Sequence, residues 1–154
     1  DILRSGTGLR VRVTGRSMAP FLRGGEIVTI KKVSYASLRI GDLIFYKSRN
    51  TSPFLHRIVR KKVEGNTFSI QTRGDSLITM DEPVTEDSIL GKVCGVEKTL
   101  PGEKIQQIDM ESLYWRSINY LLAKKSLMKS KTYLSMQQFP LYPSLRSIIK
   151  KTLV

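Results

Sequence analysis

Between residues 8 and 98 the sequence divides into six short runs rich in β-branched and aromatic residues, set apart by turn signals. The first, LRVRVT over 9–14, alternates apolar and basic residues, the period of a strand with one buried face. EIVTIKKV (26–33), DLIFYK (42–47), FLHRIV (54–59), TFSIQTR (67–73) and ILGKVCGVE (89–97) follow. Between them lie Gly24-Gly25, Gly41-Asp42, the stretch from Asn50 to Pro53, Gly65-Asn66 and Gly74-Asp75. These residue types supply the φ freedom and local hydrogen bonds that turns need. Short strands at this spacing predict a mainly β domain, a small, strongly bent barrel or pair of sheets. No internal repeat is visible.

After residue 98 the pattern changes period. IDMESLYWRSINYLLAKKSLMKS (108–130) places Leu113, Ile118 and Leu121/Leu122 at helical spacing, with Lys124, Lys125 and Lys129 after them. This predicts an amphipathic helix. Pro140 and Pro143 interrupt it, and SLRSIIKKTLV (144–154) reads as a short basic helix. Residues 100–154 hold nine Lys/Arg against three Asp/Glu. The chain therefore divides into a β domain over 8–98 and a basic helical extension over 99–154. The extension suits a helical hairpin packed on the β domain with a solvated cationic face. Alternatively, 103–154 lies on an anionic membrane surface.

The totals narrow the partners. A chain of 154 residues is about one domain's worth. Its net charge of +13 favours an anionic partner, acidic lipid or nucleic acid. Nucleic acid is disfavoured, because no zinc finger, helix-turn-helix pair or aromatic RNA-binding strand is present. The single cysteine, Cys94, excludes an intrachain disulfide and a cysteine-built zinc site. No metal or cofactor is expected. No run of about 20 apolar residues could span a bilayer. Residues 1–12 carry Arg4, Arg10 and Arg12 around no apolar core, so they do not read as a signal peptide.

Within the β part, three polar residues fit one chemistry. Ser17 lies in VTGRSMAPFLRGGE (13–26), past the first strand and before a segment that could begin a helical turn. A serine hydroxyl is a poor nucleophile until a base removes its proton. The only histidine, His56, falls inside the apolar run FLHRIV, and imidazole suits a general base near neutral pH. TRGDSLITMDEPV (72–84) adds Asp75 and Asp81, either of which could fix the imidazole tautomer and stabilise the imidazolium. Each residue alone is ordinary: a serine at a turn commonly caps it, a strand histidine commonly packs, and Gly-Asp is turn chemistry. Their joint presence, with the histidine where an aliphatic residue would be expected, is the signal. Lys61 and Lys62 are the fallback bases.

The boxes containing these residues resemble the signal peptidase I superfamily, the S24/S26 serine peptidases. GRSMAPFLRGGEIV is similar to the family's Ser-Met-x-Pro box and the Gly-acid pair that introduces a strand. IGDLIFYK resembles the Gly-Asp-hydrophobic strand, LHRIV the box of the general base, TRGDSLITMDEPV the Gly-Asp box with a second aspartate, and ILGKVCGV the closing strand. The resemblance covers residues 8–98 and leaves 99–154 outside it. Histidine rather than lysine at the base position resembles the endoplasmic-reticulum, archaeal and sporulation-type branch.

The resemblance implies a coiled-sheet, barrel-like β peptidase domain with its site in a groove. Ser17 would be the nucleophile, His56 the base, Asp81 the group that orients the histidine, and Asp75 a support acting through the turn. The Ser17 backbone N–H would bind the oxyanion, and Met18 and Pro20 would line the substrate groove. The implied substrate is a peptide or pre-protein cut after small residues, of Ala-x-Ala type. The implied location is membrane-associated, peripheral or anchored by a segment before Asp1, with a cytoplasmic one as the alternative. Two positions depart from the family pattern. Gly15 stands where many members carry a serine hydroxyl that helps bind the oxyanion, and one such donor is worth on the order of a hundredfold or more in rate. Glu26 stands where an aspartate is usual. Two other functions remain open: a LexA-like self-cleaving regulator, whose only Cys-Gly pair here is Cys94-Gly95, and a non-catalytic module docking on anionic lipid or nucleic acid.

Overall fold

The computed structural model describes residues 8–47, 52–64 and 67–137. Each of the six β-rich runs contains a strand: β1 (Leu9–Arg12), β2 (Ile27–Lys31), β3 (Leu43–Tyr46), β4 (Phe54–Glu64), β5 (Thr67–Arg73) and β6 (Ile89–Thr99). A further strand, β7 (Ile105–Asp109), and one helix, α1 (Leu113–Gln137), follow. The turn residues Asn50-Thr51 and Gly65-Asn66, both tail prolines and the expected helix over 144–154 lie outside the described residues.

The protein is mainly β. All strand pairings are antiparallel, in the order β1-β2-β6-β3-β4-β5, with β7 added to β6. A strand has two hydrogen-bonding edges, and β6 is long enough to divide one of them. β2 pairs along Lys92–Glu97, while β3 takes Ile89–Lys92 and β7 takes Gly95–Thr99. The order ends at β1 and β5, so the described strands make one open sheet rather than a closed barrel or two separate sheets. Register shifts at Thr29/Ile30, Phe45/Tyr46 and Ile58/Arg60 bend it without closing it.

The sheet is buried on both faces. Side chains alternate along a strand, and β3 divides its residues between two cores. Leu43 joins Met18, Leu22, Val28, Ile30, Val93, Val96, Ile108 and Met110. Ile44 and Tyr46 join Leu38, Ile58, Ile70 and Val84. Double burial explains why LIFY reads as a continuous apolar run instead of alternating.

The start of the extension belongs to the sheet. Residues 105–109 pair with β6, and the helix begins only at Leu113. Ser112 caps it, its hydroxyl accepting the Trp115 N–H at 3.4 Å. The orientation of α1 differs from the expected apolar-inward stripe. Asn119, Ala123 and Ser126 are buried, whereas Leu113 and Leu121 are 80% and 61% exposed. The inner face meets two buried guanidinium groups, described below, and those need polar partners. Gly41 lets the helix come this close: its φ is +99°, and a Cβ there would lie 2.7 Å from the Tyr120 nitrogen. No described helix is long and apolar enough to cross a membrane.

Candidate active site

Ser17 sits on a short helical turn after β1. The Ala19 N–H donates to the Arg16 carbonyl at 3.0 Å and the Leu22 N–H to the Met18 carbonyl at 2.9 Å. Met18 and Leu22 are buried and anchor the turn in the core. Its return is held by Glu26, whose carboxylate accepts the N–H groups of Arg23 and Gly24, each at 2.8 Å. Burial opposes the Glu26 charge, but these amide bonds and the nearby Lys98 outweigh it and hold the carboxyl below its ordinary pKa. Glutamate at this position therefore braces the loop that presents Ser17.

The Ser17 Oγ lies 3.1 Å from Nε2 of His56. His56 is on β4, opposite Ile44 of β3, and is 6% exposed. The ring edges of Phe54 and Tyr46 flank the imidazole, with centroids 5.1 and 6.5 Å away. Its other nitrogen, Nδ1, lies 2.7 Å from Oδ2 of Asp81.

Asp81 reaches this position because the chain doubles back along β5. The Asp81 N–H donates to the Thr72 carbonyl at 2.9 Å and the Val84 N–H to the Ile70 carbonyl at 2.8 Å. Oδ2 also accepts from the Tyr46 hydroxyl at 2.9 Å and the Thr72 hydroxyl at 2.7 Å, and these two hydroxyls lie 2.7 Å apart. Two hydroxyl protons thus serve three short contacts. Burial raises the carboxyl's pKa, but hydrogen bonds from His56 and Thr72, the attraction of His56 and the bond from Tyr46 together hold it below its ordinary value. Tyr46 is pushed upward, first by burial and then by the Asp81 charge, so its phenol stays protonated as a donor. An ionised Asp81 accepts the proton on His56 Nδ1. In the neutral tautomer that carries this proton, the lone pair on Nε2 faces the Ser17 hydroxyl.

Asp75 does not touch His56. Its two oxygens accept from Nε and Nη2 of Arg57, at 2.8 and 2.7 Å. Arg57 is fully buried, and its Nη1 donates to the Asn119 side-chain oxygen at 2.6 Å and the Gly41 carbonyl at 3.1 Å. The same turn holds Ser17 directly. Ser76 donates both its N–H and its hydroxyl to the Ser17 carbonyl, each at 2.9 Å. Gly74 permits the approach, since a Cβ there would lie 2.7 Å from that carbonyl oxygen and 3.0 Å from His56 Nε2.

A groove of about 290 Å³ opens beside Ser17, walled by Val11, Val13, Gly15, Met18, Phe45 and Leu55 among others. Met18 lines it. Pro20, expected to do so, does not; it follows the cis Ala19–Pro20 bond and borders other hollows with Phe21 and Lys98. A side chain at position 15 would meet nothing within 4 Å. Lys61 donates to the carbonyls of Ala36 and Leu38. Among the described residues, no cluster of His, Cys, Asp or Glu could hold a metal ion.

The structure thus joins Ser17, His56 and Asp81 in one hydrogen-bonded line and sets Asp75 behind them. Sequence reasoning missed Tyr46, Thr72, Arg57, Ser76 and Asn119. Arg57 left a trace, a basic residue directly after the histidine in an apolar strand. Neither a protein-family model nor a characterised protein sequence matches the chain.

Proposed function

We propose that this chain is a serine endopeptidase of the signal-peptidase-like kind, acting on a peptide or pre-protein. The observation that carries this reading is the line Ser17 Oγ, His56 Nε2, His56 Nδ1, Asp81 Oδ2, with gaps of 3.1 and 2.7 Å. The bent antiparallel sheet suits the coiled-sheet architecture of that class. In the proposed reaction His56 Nε2 takes the Ser17 proton while Oγ bonds to the scissile carbonyl carbon. Asp81 stabilises the imidazolium that forms. The imidazolium then protonates the departing amine, and water activated by His56 releases the acyl group from Ser17. The developing oxyanion falls to the Ser17 backbone N–H, with no hydroxyl at Gly15 to assist.

The groove supports small or slender aliphatic side chains on the acyl side, because its walls are largely apolar, with Arg12 and Thr14 among them, and its volume is modest. β1 is an edge strand and contributes Val11 to the groove wall. An extended substrate adding to that edge would place alternate side chains in the groove. Self-cleavage at Cys94-Gly95 is less well supported. That bond lies inside β6, with Gly95 facing Thr29 of β2 and Asp109 of β7.

The test is cleavage of a leader peptide with an Ala-x-Ala site. Ser17→Ala and His56→Ala should each reduce turnover by about 10⁴-fold or more with the thermal unfolding curve retained. Normal cleavage by His56→Ala would remove the histidine as base.

A further inference from the structure

We propose that the outer face of α1 docks the protein on an anionic lipid bilayer, lying in the interface without crossing it. The reasoning needs no catalysis and is independent of the peptidase reading. It starts from the reversed polarity of the helix. With about 100° between successive residues, Leu113, Ser117, Leu121 and Lys124 fall in one sector, flanked by Tyr114 and Tyr120. Asn119 and Ser126 lie opposite. The core-facing side carries Asn119 and Ser126 beside Ala123 and Trp115, and the outer side carries Leu113, Tyr114, Tyr120 and Leu121, which are 80, 68, 45 and 61% exposed. Isolated exposed apolar residues are ordinary, but a contiguous helical stripe marks an interaction surface.

Charge selects the occupant. The α1 sequence contains Arg116, Lys124, Lys125, Lys129 and Lys131 and no acid. A second copy would bring a further net charge of +13 and another acid-free helix, so self-association through this face would set like charges together. An anionic bilayer complements both features. Leucines enter the boundary between headgroups and acyl chains, tyrosines sit at headgroup level, and lysine stems run along the apolar region to reach phosphates. A hollow of about 600 Å³ adjoins the stripe. It is walled by Leu113, Tyr120 and Leu121, with Arg39 and Arg116 beside them. Those two guanidinium groups are suited to lipid phosphate.

The experiment is flotation of the full chain with vesicles of phosphatidylcholine alone or mixed with phosphatidylglycerol, together with sedimentation velocity without lipid. Binding should require phosphatidylglycerol and weaken as added salt shortens the screening length. The triple variant L113S/Y114S/L121S should bind at least about tenfold more weakly, since interfacial affinity scales with apolar area. K124E/K125E should lose the preference for anionic vesicles. All these positions are exposed, so thermal unfolding checks that both variants fold. Equal binding to both vesicle types would overturn the proposal, as would undiminished binding by the triple variant. A wild-type dimer that the triple variant converts to monomer would assign the face to self-association instead. Because no cleavage is measured, an inactive peptidase site leaves each outcome readable.

Discussion

The strand pair β4–β5 has two faces, and they do opposite things with polar residues. His56 and Thr72 project to one side, where they meet Asp81, Tyr46 and Ser17. Their chain neighbours Arg57 and Arg73 project to the other. There they face each other across the ladder, both fully buried, under α1. Arg57 is answered by Asp75, Asn119 and the Gly41 carbonyl, and Arg73 by Ser126 and the Ile78 carbonyl. On the first face an imidazole sits between a hydroxyl and a carboxylate. On the second, two buried guanidinium groups are fixed in place by several hydrogen bonds each. The serine, histidine and aspartate line lies on one side and the buried guanidinium pair on the other. The 74–76 turn couples them, with Asp75 gripping Arg57 and Ser76 gripping the Ser17 carbonyl.

This division can be broken in order of expected effect. Asp81→Asn should reduce turnover on the order of 10⁴-fold, because an amide no longer selects the tautomer that leaves Nε2 free. Its loss of stability should be smaller than that of Asp75→Ala, because the amide keeps one oxygen for the Tyr46 and Thr72 hydroxyls, and an equal or larger loss would show that this face is the stronger structural support. Asp75→Ala should do the reverse. It strands a buried guanidinium at a cost of about 3–5 kcal/mol, visible in urea unfolding, while its effect on turnover should follow the loss of folded protein. Asn119→Ala removes one hydrogen bond to the same charge and should cost about 1.5–3 kcal/mol. An unchanged unfolding curve for that variant would mean that α1 does not brace Arg57.

The smallest effect concerns pH. Asp81 has a depressed pKa in the folded protein, so its contribution to stability is present above its unfolded value and is lost as pH falls through the folded one. Tyr46→Phe removes one donor to that carboxylate. It should cost about 0.5–1.5 kcal/mol at neutral pH and make the acid loss of stability smaller and complete at a higher pH, because the folded pKa of Asp81 moves up toward the unfolded one. Chemical denaturation across an acid series would measure the displacement, and coincident curves for wild type and variant would show that the phenol does not hold the carboxylate.

Much of this was legible before any coordinates. The six strands could be found because β-branched runs and Gly-Asp or Gly-Gly turns act over a few residues. Their ends were less visible. β4 continues through the largely charged stretch Arg60 to Glu64 because its backbone is paired with β5, which side-chain polarity does not report. β7 falls inside the stretch that the sequence assigns to a helical extension, and only pairing with β6 makes it a strand. Ser17, His56 and Asp81 were recognisable as residue types that cooperate. Tyr46 and Thr72 were not, since tyrosine and threonine are common in strands and gain meaning here only from touching the same oxygen.

By itself the sequence determined the local grammar: where the backbone extends, where it turns, and which three side chains could pass a proton. Such preferences depend on near neighbours and survive in any context. The residue types left open which of two aspartates meets the histidine; the family resemblance pointed to Asp81, and the tertiary contacts put it there. The return along β5 delivers Asp81 to His56 and leaves Asp75 to a buried arginine. The tertiary structure alone decided that α1 turns Asn119 and Ser126 inward and Leu113 and Leu121 outward. A buried guanidinium outranks the helix's own apolar spacing, because a charge without hydrogen bonds inside a protein costs more than a leucine left in water.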